Sequence, residues 1–142
     1  METIRFRVEG LPPKKDGANS MWGKPLEAGR LVSLRNAALK AMDGRIPLKS
    51  NIRLALSVHV GDRNDRSVGD LDTFITGVCD GLMKRAPRSN LCQDIWGLAE
   101  YGDIHPDRPI AIDDDCQVVS IQADKTIGGT TLPWYEVTLA GD

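Results

Sequence analysis

Six aspartates within residues 67–142 could do chemistry together. They are Asp70, Asp72, Asp80, Asp113, Asp114 and Asp115. Mg²⁺ and Mn²⁺ prefer carboxylate oxygens, and phosphodiester hydrolysis uses these cations to activate water and to neutralise charge at phosphorus. Carboxylates from two separate elements would have to converge on one ion. Acidic residues in the first turn of a helix also interact favourably with the helix dipole, so capping is the alternative interpretation of Asp70 and Asp72.

The charge of the chain is distributed unevenly. The net charge is −2, but residues 1–66 hold 13 Lys and Arg against 7 Asp and Glu, while residues 67–142 hold 5 against 13. A basic half could follow a phosphate backbone while a carboxylate-rich half collects metal ions. The alternative is a chance distribution of charge over solvated faces.

The first half of the chain predicts two strands and one helix. Residues 3–8 alternate between apolar and polar side chains, which predicts a strand with one buried face. Residues 52–60 alternate without a break, which predicts a central strand. Residues 11–30 are rich in Pro, Gly and Lys and predict a long, positively charged loop. Ser33 is expected to cap a helix that ends near Met42.

The second half predicts a helix and two strands. Residues 71–83 place apolar side chains on one helical stripe, which should cover the sheet. Residues 118–123 and 134–139 predict the strands. The Gly128-Gly129 pair between them is typical of a turn and predicts that the two strands form a hairpin.

This order of elements predicts an α+β fold. We expect a single domain over residues 1–142, in which a mixed β-sheet carries two main helices packed on one face. Residues 86–112 are polar and rich in Pro and Gly, so they are interpreted as an insertion with a short helical turn near residues 93–100.

Composition excludes several classes of protein. Hydrophobic residues make up 41% and charged residues 27%, which is ordinary for a globular protein. No apolar run approaches the ~20 residues that cross a bilayer, and the first residues lack the apolar stretch of a signal peptide, so we expect a cytoplasmic protein with no membrane partner. The three widely spaced cysteines are expected to be reduced thiols. The sequence has no phosphate-cradling glycine loop, so no nucleotide cofactor is expected.

Two motifs resemble the signature of RusA-type Holliday junction resolvases. The first is Gly69-Asp70-Leu71-Asp72-Thr73, followed by Asp80-Gly81-Leu82, and the second is Asp114-Asp115-Cys116-Gln117-Val118-Val119. Gly10, Pro12 and Lys14 also resemble the first loop of that family. The resemblance extends from the first strand to about Lys125, although residues 86–112 are longer than the usual connection.

The resemblance implies a homodimer that binds branched DNA and cuts two strands symmetrically with Mg²⁺ or Mn²⁺. Such a nuclease resolves Holliday junctions in recombination and repair. Asp70, Asp72 and Asp115 match the catalytic metal ligands, and Asp114 is the alternative for the third place. The residues expected to contact DNA are the cations of the predicted loop: Lys14, Lys15, Lys24 and Arg30.

Two departures from the family pattern affect the expected activity. Thr73 stands where the family usually has asparagine, and Thr76 stands where it has a lysine expected to assist at the reacting phosphate. Threonine supplies no positive charge, and the loss of such a cation weakens transition-state stabilisation. Lys14, Lys15 and Lys84 are candidate substitutes, and the two loop lysines are the better placed. The alternative function is therefore a catalytically weakened, DNA- and metal-binding relative of these nucleases.

Overall fold

The elements follow the order strand, helix, strand, helix, strand, strand. The computed structural model describes residues 2–15, 20–64 and 67–142. Its main elements are β1 (Glu2–Glu9), α1 (Pro25–Met42), β2 (Ile52–Val60), α2 (Leu71–Gly81), β3 (Val118–Ile127) and β4 (Trp134–Gly141). Between α2 and β3 lie a short helix, α3 (Gln93–Trp96), and two 3₁₀ turns, Ala99–Ile104 and Asp115–Gln117.

In the described residues the four strands form one mixed sheet in the order β1-β4-β2-β3. β2 pairs with β3 in parallel and with β4 antiparallel, and β1 pairs with β4 antiparallel, so β1, β2 and β3 point the same way. The two crossovers through α1 and α2 both move across the sheet in one direction. Since such crossovers are right-handed, both helices lie on the same face. The predicted α+β domain, with a mixed sheet and two main helices on one face, is confirmed.

The core lies between that face and the two helices. Alternate residues of β2 are fully buried, as are Phe74 and Val78 of α2 and Leu82 just past its end. On α1 the buried stripe includes Leu31, Leu34 and Ala38. The opposite face of the sheet is polar, and it carries Trp134 stacked against the ring of His59 at 3.9 Å. The predicted central position of β2 is confirmed, because it lies between β4 and β3.

The predicted hairpin between β3 and β4 is wrong. The two strands are separated by β2, which pairs with both. Gly128 and Gly129 do form a turn with positive φ, but the N–H of Gly128 bonds to the carbonyls of Val60 and Gly61 at the end of β2. The chain therefore passes over the end of β2 instead of folding back. A strand with one wholly apolar side is buried best between two neighbours, and this long-range preference overrides the local turn signal.

Helix α1 is longer than predicted, and the loop before it is shorter. The helix begins at Pro25, so Arg30 lies within it and not in a loop. Proline is favoured at the first helical position because it has no N–H that would need a partner there. Ser33 lies inside the helix and is not a cap, since its hydroxyl donates to the carbonyl of Gly29 at 3.4 Å.

Two further expectations concern the membrane and the cysteines. Among the described residues, no helix has the length and apolar character needed to cross a membrane. Cys79, Cys92 and Cys116 are free thiols.

Candidate functional site

Asp70 and Asp72 lie at the surface where α2 begins. Gly69 adopts φ of +121°, and Asp70 follows in an extended conformation as the residue before the helix, so the non-helical lead-in required to bring the two aspartates together is present. Asp70 makes no side-chain capping bond. Its carbonyl accepts from Thr73 Oγ1 at 2.8 Å instead. Both carboxylates are exposed, and among the described residues neither has a hydrogen-bond or ion-pair partner.

The second acidic segment is a capped turn directly before β3. Oδ1 of Asp114 accepts the N–H of Cys116 at 3.0 Å, and this bond holds the pKa of Asp114 below its usual value. Asp113 pairs with Lys49 at 2.9 Å. Asp115 is exposed and pairs with no described cation. Of the two candidates for the third ligand, Asp114 caps the turn through a backbone N–H, whereas Asp115 pairs with no described cation. The ligand role of either residue stays a prediction.

Gln117 fixes the position of this acidic turn. Its buried side chain accepts the N–H groups of Asp113 and Asp114 at 2.9 and 2.8 Å. Its amide nitrogen donates to the carbonyls of Leu48 and Ser50 at 2.7 and 2.8 Å. All the ordinary hydrogen-bonding capacity of the amide is used. The turn is thereby tied to the chain that leads into β2.

The two acidic segments lie toward opposite ends of α2. The carbonyl of Leu82, just past the helix, accepts from the N–H groups of residues 110–112, immediately before the acidic turn. The charge of Asp115 also contributes, after burial and Asp80, to raising the pKa of the Cys79 thiol to about 11. Cys79 is seven residues beyond Asp72, or about 10 Å along a helix. Accordingly, no three acidic, histidine or cysteine side chains of the described chain form a group that could hold a metal ion. A cation shared by Asp70, Asp72 and Asp115 stays a prediction.

The first loop crosses α2 and delivers lysines to it. A Cβ on Gly77 would lie 1.9 Å from the carbonyl oxygen of Pro13, so only glycine allows this crossing. The N–H of Lys14 donates to the buried carboxylate of Glu27 at 2.9 Å, and the N–H of Lys15 to the carbonyl of Thr73 at 3.5 Å. The loop backbone is therefore held by both main helices.

The other two predicted DNA contacts lie at the start of α1. Lys24 is the residue before the helix, and Arg30 pairs with Glu27 at 3.2 Å. Arg30 thus neutralises the carboxylate that holds the loop, which is a structural role that sequence analysis did not anticipate. Contact of either cation with DNA stays a prediction.

A groove of about 550 Å³ runs beside the acidic turn. It is lined by Asp80, by residues 113–115 and by residues 83–90, of which residues 86–90 belong to the predicted insertion. Lys15 and Lys84 line it as well. The first residues of the insertion and Asp115 therefore line the same groove. Residues 16–19 and 65–66 lie outside the described residues.

The insertion is anchored by Arg35, which sequence analysis missed. Its guanidinium is fully buried and donates only to carbonyl oxygens. The acceptors are those of Gly81, Met83, Ile104, His105 and Arg108. Burial lowers the pKa of Arg35 to about 9, so it remains charged at neutral pH. A signal was present in the sequence, because Arg35 falls on the apolar stripe of α1 between Leu31 and Ala38.

Trp22 belongs to the same anchor. Its ring lies 5.1 Å from the Arg35 guanidinium and 5.7 Å from the ring of Trp96, and the residue is buried. The N–H of the Trp96 indole donates to the carbonyl of Trp22 at 2.9 Å. Trp22 therefore stabilises the packing of the insertion.

A comparison with models of known protein families finds no match to this chain, and a search of curated proteins finds none either.

Proposed function

We propose that this protein is a RusA-like endodeoxyribonuclease that cuts branched DNA in recombination and repair, with Mg²⁺ or Mn²⁺ as its cofactor. The observation that carries the proposal is that some residues of the motifs hold the local structure while three of their carboxylates are exposed. Asp114 and Gln117 build the acidic turn through a cap and four hydrogen bonds. Asp70, Asp72 and Asp115 are exposed and pair with no described cation. Exposed carboxylates that make no ion pair with a described cation, in motifs otherwise filled by structural residues, support a role in chemistry.

The donor chemistry of these three residues fits a hard divalent cation. Mg²⁺ keeps several waters and is commonly held by one or two carboxylates together with substrate phosphates, so a preformed group of three is not a requirement. Asp70 and Asp72 would hold the ion at the start of α2 together with water and substrate phosphates. Asp115 lies toward the other end of the helix, so its part in the same centre is proposed from the motif alone. When bound, the ion acidifies water and neutralises charge at the phosphorus.

The surface next to these carboxylates suits a phosphate backbone. Lys14 and Lys15 are carried on a loop that is fixed to α1 and α2 through its backbone, so their side chains are presented from a defined position. Lysine contacts to phosphate release counterions from DNA and supply sequence-independent affinity. This arrangement supports binding by backbone charge and junction shape, with no base-reading element required.

We further propose that the protein is a cytoplasmic homodimer. Symmetric cutting of two opposed strands needs two active sites related by a two-fold axis. Light scattering should return twice the 15.5 kDa mass of one chain. A monomer mass across a wide concentration range, with and without junction DNA, would contradict the dimer.

A second candidate is a DNA-binding relative with weakened cleavage. It is favoured by Thr76, whose hydroxyl donates to the carbonyl of Asp72 at 3.1 Å and so is turned back onto its own helix. A lysine at this position would instead extend a positive charge toward the N-terminal end of α2, because helical side chains lean that way.

A cleavage assay on a synthetic four-way junction separates these candidates. The junction is incubated with protein in Mg²⁺, in Mn²⁺ and in EDTA, and linear duplex of the same sequence is the control. We expect paired nicks in the junction with either metal, none in EDTA, and little cutting of the duplex. Junction binding without nicking in both metals would favour the weakened relative, and equal cutting of junction and duplex would overturn the specificity for branched DNA.

A further inference from the structure

Lys125 occupies an unusual place on β3. In the parallel register it lies beside Val58, whose side chain is buried on the helix-covered face of the sheet. The Lys125 side chain therefore lies on that face and not on the polar one, and it is half-buried. Its ammonium donates to the carbonyl of Gly69 at 3.2 Å. Strand β3, which follows the acidic turn in the chain, thus places the Lys125 ammonium beside Gly69, the residue before Asp70.

Gly69 is a point where two lysines meet. A Cβ at this position would lie 2.6 Å from Cδ of Lys14 and 2.7 Å from Cζ of Phe74. The stem of Lys14 and the ammonium of Lys125 therefore approach the same residue from different elements. Glycine at position 69 allows both the positive φ and this close approach.

The charged groups around Gly69 are of both signs. A positive charge near a helix N-terminus is unfavourable with the helix dipole, and two lysines near one another repel. Asp70 and Asp72, exposed at the same end of α2, carry the opposite charge. Since the bond to Gly69 uses one N–H, two donors of the Lys125 ammonium are left for a further acceptor. An anionic group bound beside the two aspartates would meet these donors.

We propose that Lys125 contacts the phosphate that is cut and supplies the positive charge that Thr76 does not. The inference rests on the proposed nuclease function and deepens it. Lys125 suits the task better than Lys14, because it is held on a strand with its stem half-buried and its ammonium already fixed. Such a group loses little side-chain freedom when it meets the phosphate.

The test uses the full-length protein with Lys125→Met, which keeps the apolar stem, and Lys125→Arg, which keeps the charge. Lys40→Met, at an exposed position in the last turn of α1, is the matched control. Single-turnover cleavage at saturating junction should fall about 100-fold or more in Lys125→Met, as for loss of one transition-state donor. The cleavage rate of Lys125→Arg should stay within about tenfold of the wild-type rate, and that of Lys40→Met should equal it. A lysine that only holds the Gly69 lead-in would show equal losses of rate and of binding.

A second-site experiment distinguishes chemistry from structure. The double variant Lys125→Met/Thr76→Lys should cleave at least tenfold faster than Lys125→Met alone, because the new ammonium extends toward the same end of α2. Urea denaturation of each variant identifies any loss of fold, and Lys125→Gln replaces Lys125→Met if the latter does not fold. A normal rate in a folded Lys125→Met variant overturns the proposal.

Failure of the nuclease function can be distinguished from failure of the Lys125–phosphate contact. If wild-type protein binds the junction and nicks it in neither metal, the nuclease function fails while the phosphate contact is still tested by salt dependence of binding. Lys125→Met should then lower the slope of log K against log salt by about one counterion relative to Lys40→Met. An unchanged slope overturns the contact as well.

Discussion

The ammonium of Lys15 lies 2.6 Å from Oδ2 of Asp80, across the face of α2. The backbone of Lys15 bonds to the carbonyl of Thr73, so this one residue spans the helix from its first turn to its last. Asp80 also lines the groove beside the acidic turn. The loop cation is therefore directed toward the acidic groove by a partner that belongs to the motif itself.

Lys15→Ala should weaken junction binding with little effect on stability. The pair is solvent-accessible, with about half of the Lys15 side chain exposed, and such pairs contribute less than about 1 kcal/mol. Loss of one phosphate contact should lower the salt slope of binding by about one. Fluorescence anisotropy at several salt concentrations measures the slope, and Lys40→Ala is the control. An unchanged slope would remove Lys15 from the DNA surface.

Local periodicity predicted most of the fold, because burial of one face decides these elements. The unbroken alternation of β2 and the apolar stripe of α2 both appear in the structure with small changes of boundary. The start of α1 differs from the expectation because Pro25 and Gly29 are residue types typical of loops, although proline at a first helical position also favours a helix. The hairpin was wrong because pairing depends on where β2 lies, which no local turn signal contains.

The candidate site was predictable only in its parts. The motif spacing predicted that Asp70, Asp72 and the acidic turn belong to the site. In the structure Asp114 caps that turn. Sequence reasoning did not find Arg35 or Lys125, because each acts through carbonyl groups that are distant in the chain. Basic residues are usually solvated, so their burial in a helix or sheet is not expected from residue type.

Asp114 should titrate below its ordinary pKa of 3.8. The N–H of Cys116 stabilises the ionised carboxylate in the folded state, so this contribution to stability is present above pH 3.8 and is lost as the pH falls through the lowered pKa. NMR titration of the Asp114 carboxyl and the Cys116 amide measures it. Asp114→Asn keeps an acceptor oxygen and should abolish the transition at the amide. A midpoint at or above 3.8 would contradict the cap.

Arg35→Met should destabilise the protein by more than about 3 kcal/mol, because it leaves several buried carbonyl groups without donors. Arg35→Lys should cost about 2 kcal/mol or more, since an ammonium has three donors and lacks the planar geometry of guanidinium. Arg53→Lys, at an exposed position on β2, is the matched control and should change stability by less than about 0.5 kcal/mol. Urea denaturation measures all three. Equal stabilities of Arg35→Lys and wild type would show that the carbonyl cluster does not need the guanidinium.

Asp72→Asn should separate cutting from binding. Asp72 is exposed in the first turn of α2 without a described partner, so its replacement by the isosteric amide should leave the fold intact. If its carboxylate helps to hold the catalytic cation, single-turnover cleavage in Mg²⁺ should fall at least about 100-fold, or about 2.7 kcal/mol in activation free energy. Junction affinity should stay equal or rise, because one negative charge beside the phosphate backbone is removed.

Asp94→Asn makes the same chemical change at an exposed aspartate in the first turn of α3, and it should cut and bind like the wild type. Together the two variants assign the loss to position 72 and not to a change of net charge. Cleavage retained in Asp72→Asn would exclude this carboxylate as a ligand. Parallel loss of cleavage and binding in a folded variant would instead place Asp72 in the DNA-binding surface. Replacing a metal ligand that acts only in the chemical step should not lower the affinity for the junction.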